Sequence, residues 1–204
     1  MTDETNWPLG PSSERDLVPD TASLRALAHP LRVRIVGILR RRGPSTASLL
    51  AQELGLNSGA TSYHLRQLAG AGLIVEDTTR GNNRDRWWKA VHRSTYFDST
   101  AYEDDPEAAI GYLSAVAAGY ADNIVRAVHE YPALPGAWSE SVDMSDFQMR
   151  VTAEESRQMR LELLEVIGRY RRDDDVKDGA VRAPEGAARV AVQLQILPDF
   201  ADPA

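Results

Sequence analysis

Residues 48–75 read SLLAQELGLNSGATSYHLRQLAGAGLIV, and this stretch decides the fold. Just before it, Ser45 or Thr46 offers a hydroxyl to cap a short helix, and Gly55 can take the left-handed conformation that closes it. Leu56 begins a turn, and Asn57 or Ser58 caps a further helix to about Ala71, ended by Gly70 and Gly72. In that helix Thr61, Leu65 and Leu68 follow at offsets of four and three, which puts them on one inward face. Ser58, Gly59, Ser62, Tyr63, Arg66 and Gln67 therefore point outward or sideways. Leu73-Ile74-Val75 then reads as a strand.

Working outward, Leu24, Leu27, Leu31, Ile35, Ile38 and Leu39 recur at helical spacing upstream. Pro30 interrupts the run, since proline lacks the N–H and clashes with the preceding turn, but at the first position of a new helix the missing donor costs nothing. The spacing predicts one helix over about 22–28 and a second over 30–41, ended by Gly43-Pro44. Downstream, Thr79 to Arg84 forms a turn rich in Gly and Asn, and Arg86 to Val91 is a returning strand. The two strands make a hairpin whose tip carries Arg80, Asn82, Asn83, Arg84 and Arg86. Trp87 and Trp88 alternate across the strand, so one packs inward.

Charge is distributed unevenly around this core. The 204-residue chain has a net charge of −7, yet residues 25–93 hold 12 Lys and Arg against 4 Asp and Glu. A basic segment inside an acidic chain is the footprint expected of a nucleic-acid binder, although an unevenly charged solvated surface gives the same figures. There is no cysteine, which excludes disulfides, thiolate metal sites and cysteine nucleophiles. No apolar run approaches the ~18 residues of a membrane-spanning helix. The acidic, polar start has no secretory apolar region, so a cytoplasmic location and no membrane partner are expected.

The order helix, helix, helix–turn–helix, hairpin over 24–91 is that of a winged helix-turn-helix. Ala28-His29-Pro30-Leu31-Arg32, Leu50-Ala51-Gln52-Glu53-Leu54-Gly55-Leu56, Ser62-Tyr63-His64-Leu65 through Leu68, and Gly72-Leu73-Ile74 occur in that order. On these residues the segment, about 70 of 204 residues, resembles the arsenic-repressor-like (ArsR-like) family of bacterial transcriptional regulators. The resemblance implies a homodimeric, sequence-specific DNA-binding regulator, a repressor, on a near-palindromic operator in double-stranded DNA. An α-helix fits the major groove of B-DNA, and its outward side chains reach base edges. Ser58, Gly59, Ser62, Tyr63, Arg66 and Gln67 would face the groove. Arg80, Asn82, Asn83, Arg84 and Arg86 of the wing would meet phosphates or a narrow minor groove. His64 borders the buried face and reads as a structural hydrogen-bonding histidine before a base reader. Arg40-Arg41-Arg42 serves a helix dipole or DNA equally well.

The second half returns to helical period. Ile110, Leu113, Ala117, Tyr120, Ile124, Ala127 and Tyr131 share one stripe on a helix of about 25 residues after Asp105-Pro106. In the family the first helix and the helix after the wing make the dimer. Leu24, Leu27, Ile110, Leu113, Ala117, Tyr120 and Ile124 are thus the expected interface, with packing inside one chain as the other reading. Phe147, Met149 and Val151 alternate as a strand; Thr152 and Glu155 fit a capping box opening a helix to about Arg172. Residues 173–186 form a polar loop, and Val190, Val192, Leu194 and Ile196 alternate as a last strand. The expected fold is α+β: a mobile tail over 1–20, a winged helix-turn-helix over 21–95, and a dimerisation or regulatory α+β module over 96–204.

No metal and no cofactor are expected. Ser48-Leu49-Leu50-Ala51 offers no ligand where metal-sensing relatives place cysteines. Asp122 and His129 share a face, but two ligands do not make a tetrahedral site. The four histidines, at 29, 64, 92 and 129, stand in no recognisable catalytic motif, so the chain is not expected to be an enzyme. A protein-binding winged helix without a DNA site is the alternative function. An organic or protein effector is expected at the C-terminal half, where Tyr96, Tyr102, Tyr112, Tyr120, Trp138 and Phe147 either line a pocket or fill a second core.

Overall fold

The computed structural model describes residues 15–80, 85–97, 102, 105–177 and 179–199. The first described residues form β1 (Asp16–Leu17), and α1 (Thr21–Leu27) and α2 (Pro30–Arg42) follow. Next come β2 (Ser45–Thr46), α3 (Ala47–Leu54) and α4 (Ser58–Gly70), and then the strands β3 (Ile74–Glu76), β4 (Trp87–Ala90) and β5 (Ser94–Thr95). The long α5 (Pro106–Glu130) leads through a short 3-10 turn to α6 (Gly136–Ser139), α7 (Ala153–Gly168) and α8 (Asp173–Lys177). The molecule mixes helix and sheet, with the helix-turn-helix near the N-terminus.

Local chemistry fixes the helix starts. Asp20 caps α1 by accepting from the Ser23 amide at 2.7 Å. Pro30 is the first residue of α2, where His29 Nδ1 accepts from the Leu31 amide at 3.2 Å. Thr46, not Ser45, caps α3, and Gly55 closes it at φ +67°, a conformation open to glycine at little cost.

The hairpin is larger than expected. β4 pairs antiparallel with β3 on one side and with β2 on the other, so the wing is a three-stranded sheet. A second pair, β1 with β5, is parallel and joins Asp16 to Ser94 and Leu17 to Thr95. Residues 15–20 are therefore not a mobile tail. The Arg93 amide donates to Arg15 O at 2.7 Å, the Tyr96 amide to Leu17 O at 2.8 Å, and the Ser94 hydroxyl to Asp16. Residues 1–14 of the expected tail lie outside the described residues.

One core gathers Leu24, Leu27, Ile35, Leu39, Leu50, Leu65, Leu68 and Leu73, with Trp88 packed against it. Tyr102 and Tyr112 close it from the other side, around Phe97. Both tyrosines fill this core rather than line a pocket, and burial pushes the Tyr112 hydroxyl up to about 12. Ala108, Tyr112 and Ala115 bury one face of α5, which packs on α1 and α2. At Gly111 an added Cβ would stand 2.9 Å from the Ala28 Cβ, so only glycine permits this approach. The first compact unit thus runs on through α5 to Leu134, past the boundary expected between 95 and 96.

Residues from Pro135 onward form a second compact unit, containing α6, α7 and α8. Thr152 and Glu155 make the expected capping box at α7, with the two bonds at 3.2 and 2.7 Å. The strands expected over 147–151 and 190–196 are not formed; both segments are extended chain outside any ladder. A strand needs a second strand to pair with, and neither segment pairs with one among the described residues. The polar loop expected from 173 begins instead with α8, where Lys177 pairs with Asp173 at 2.6 Å. No described residue of this unit is buried.

Candidate nucleic-acid interface

The site is built on α4. Asn57 caps it, its side chain accepting from the Ala60 amide at 2.8 Å. The Thr61 hydroxyl donates to Asn57 O at 3.1 Å, which satisfies a hydroxyl that is wholly buried. Thr61, Leu65 and Leu68 face the core. The opposite face carries Ser58, Gly59, Arg66 and Gln67, all exposed, with Tyr63 54% exposed and Ser62 half-buried. A Cβ at Gly59 would lie 3.3 Å from Asn57 Oδ1, so glycine keeps the cap free as well as the surface low.

The turn before α4 is held by backbone. The Leu56 amide donates to Ala51 O at 2.8 Å, and the Gly55 amide to Gln52 O at 3.4 Å. These bonds and the α3–α4 packing fix the pitch at which α4 leaves the core.

His64 lies between the two faces. Its ring centroid is 4.7 Å from that of His29 and 5.4 Å from that of Tyr63. Burial lowers its pKa, and the His29 and Arg32 charges lower it further. Its Nδ1 is buried without a hydrogen-bond partner among the described residues. His64 therefore joins α4 to the start of α2 by ring packing on His29; the sequence led to a structural hydrogen-bonding histidine, and Nδ1 makes no such bond among the described residues.

The wing base centres on Asp77, which sequence reasoning missed. Its buried carboxylate accepts from the Thr79 hydroxyl at 2.7 Å and the Thr79 amide at 3.3 Å, an Asx turn. The Thr79 hydroxyl holds it below the usual carboxylate range, helped by the Thr79 amide, Lys89 and Arg80. The Asp-Thr-Thr order just after a strand was the available signal. Arg80 Nε lies 3.7 Å from Asp77, and Arg86 Nε lies 3.9 Å from Glu76. The Arg86–Glu76 pair is exposed on both sides and contributes little, so the Arg86 guanidinium can exchange its partner for a phosphate, whereas Arg80, itself exposed, rests against a buried carboxylate that Lys89 also faces. Asn82, Asn83 and Arg84 lie outside the described residues.

The three arginines at the end of α2 divide. Arg40 donates to His92 O at 2.9 Å, and to Ser94 O and Thr95 Oγ1 at 3.0 Å each. It is thus a structural clamp rather than a groove contact. Arg42 pairs with Glu53 at 3.0 Å. The Arg41 side chain lies over Gly37, where a Cβ would meet Nη1 at 2.9 Å.

The expected dimer residues also divide. Leu24 and Leu27 are 0% and 3% exposed in the single chain. They are core residues, because α1 packs its apolar face on α5 and α2, and they leave the interface set. Ile110, Leu113, Ala117, Tyr120 and Ile124 are all exposed, Ile110 at 65%. The long helix therefore has two apolar faces, one used inside the chain and one open.

Among the described residues no group of three or more His, Asp or Glu gathers as a metal site, and Asp122 pairs with Arg34 at 3.3 Å. No helix among them is long and apolar enough to cross a membrane.

Comparison with known proteins falls on the same region. A family model described as a helix-turn-helix domain matches residues 27–77. The HTH-type transcriptional regulator NmtR of Mycobacterium tuberculosis is 36% identical over 72 residues, covering 35% of this chain and 59% of that protein. The chain thus spans somewhat over half the length of that relative. An HTH-type transcriptional regulator of Methanocaldococcus jannaschii, MJ0229, is 36% identical over 75 residues, covering 36% of this chain and 78% of that protein. With the capped α3–turn–α4 unit, its exposed polar face and the strand-built wing in place, the chain belongs to the helix-turn-helix-type transcriptional regulators.

Proposed function

We propose that this protein is an ArsR-like winged helix-turn-helix repressor that binds a near-palindromic site on double-stranded DNA as a homodimer. The observation that carries the reading is the two-sided α4: Thr61, Leu65 and Leu68 sealed in the core, and Ser58, Gly59, Tyr63, Arg66 and Gln67 presented together opposite them. Low residues at the helix start let backbone approach a groove, and Arg66 has the reach for guanine or phosphate. Arg80 and Arg86 in the wing supply charge for the flanking backbone. The open stripe Ile110, Leu113, Ala117, Tyr120 and Ile124 supports pairing of two copies, which would bring two α4 helices to successive major grooves about 34–36 Å apart.

Control in this reading is by an organic molecule or a protein rather than a soft metal, because soft metals select thiolates and the chain has none. The test is a gel shift with genomic fragments over a salt series. Affinity should fall steeply with salt, and Arg86→Ala should weaken binding to all fragments while shrinking the salt slope by roughly one. Arg66→Ala should instead change which fragments are preferred. Binding that does not vary with salt would overturn the reading.

A further inference from the structure

We propose that residues 142–151 and 190–197 are strands of a sheet formed between two copies of this chain, 142–151 of one copy lying beside 190–197 of the other. The inference rests on the dimer proposed above and names the surface that completes it.

The second unit has helices but no core among its described residues. Among its described residues none is buried, while thirteen large apolar side chains, from Val142 to Leu197, stand exposed. Phe147 is 75% exposed. In the described part of the first unit before α5 only six large apolar side chains do so. A surface this apolar marks a contact.

The pattern identifies what kind of contact. Phe147, Met149 and Val151 alternate, as do Val190, Val192, Leu194 and Ile196. Period two over five to seven residues is the signature of a half-buried strand. Both segments are already extended, and neither is in a ladder among the described residues. Their unmet need is therefore hydrogen-bonding edge as well as apolar cover.

The segments suit each other. Set antiparallel with Val151 opposite Val190, Met149 falls opposite Val192 and Phe147 opposite Leu194. The other face then sets Arg150 by Ala191, Gln148 by Gln193 and Asp146 by Gln195, with no like charges opposed. A second copy also fits the amount of surface. The thirteen exposed apolar residues of this unit are about half of the roughly 20–30 residues a side in a standard interface. A two-fold partner gives both segments their complement at once, so the pairing forms twice in the dimer, whereas a short peptide would cover one segment and leave the other open.

Because the chain has no cysteine, added thiols report cleanly. Two differently tagged full-length copies, one Met149→Cys and one Val192→Cys, are produced together and treated with a short bismaleimide. The proposal expects a covalent heterodimer on a denaturing gel. A link found only within single chains carrying both substitutions, or no link in either sample, overturns it. Amide exchange on the unmodified protein is the second readout. Residues 147–151 and 190–196 should exchange at least about tenfold more slowly at dimer-forming concentration than after dilution to monomer. Equal exchange at both concentrations overturns the proposal. A protein that binds DNA in a salt-dependent way yet gives no intersubunit link defeats the sheet alone. A linked dimer that binds no DNA defeats the regulator reading and upholds the sheet.

Discussion

The unit that ends at Leu134 and the unit that follows it are written in the same alphabet of apolar periodicity, yet they stand in opposite states. In the first, Leu24, Ile35, Leu50, Leu65 and Leu68 are sealed. In the second, Phe147, Met149, Val190 and Val192 recur as regularly and remain open to solvent. Helices satisfy their own backbone and need only an apolar neighbour, whereas a strand needs a second backbone as well. The difference teaches that period specifies which face is apolar, and not which molecule covers it.

The sharpest way to break this contrast is to remove a side chain from each unit. Leu65→Ala leaves a cavity under the buried face of α4 and should lower stability by about 2–5 kcal/mol in urea denaturation. Phe147→Ala, measured at a dilution where the protein is monomeric, should leave the same transition within about 0.5 kcal/mol, because nothing among the described residues of its own chain seals it. Equal losses would erase the distinction between the units.

A smaller effect tests the packing that draws α5 into the first unit. Gly111→Ala forces a methyl to 2.9 Å from Ala28 Cβ and should cost about 1–3 kcal/mol by the same denaturation. A neutral result would mean that α1 and α5 are not in close contact. Next comes the α4 cap. Asn57→Ala leaves the Ala60 amide without its acceptor, an expected loss of about 1 kcal/mol measured by thermal unfolding.

The smallest expected effect is on pH. The native pKa values of His64 and His92 lie below 6.5, in both cases first through burial. As pH falls below 6.5 the unfolded chain takes up protons before the native one does. Their contribution is complete above 6.5 and is lost as pH drops through the lowered native values. Denaturation midpoints should therefore fall between pH 7.5 and 5.5, and His64→Gln should make that fall shallower. A midpoint that rises on acidification would contradict the burial of both rings.

The inward and outward faces of α4 were legible because caps, glycine and a 3–4 spacing agree over thirteen residues. Pro30 was legible as a helix start for the same local reason. The parallel pair β1–β5 and the strand β2 were not, since two residues carry no period and their pairing joins positions far apart in the chain. Leu24 and Leu27 show the same limit from the other side: their stripe was read correctly, and its partner was assigned to another chain when it lies in this one. On α5 the open stripe and the internal face lie on nearly opposite sides of the helix, and both are apolar enough to pass for either. Asp77 escaped notice because a carboxylate at a strand end looks like a solvated turn until Thr79 closes on it.

Arg40 has a mechanical consequence. Its guanidinium ties the end of α2 to His92, Ser94 and Thr95, the segment by which the chain leaves the wing, while Arg15 and Leu17 hold that segment from the other side. The exit from the wing therefore has no slack. A torque applied to α2 reaches the foot of the hairpin as a tilt of the whole blade, in the way a lever turns on a riveted joint. Lysine could not serve as this joint, because a single ammonium lacks the planar fork that grips two carbonyls and a hydroxyl at once.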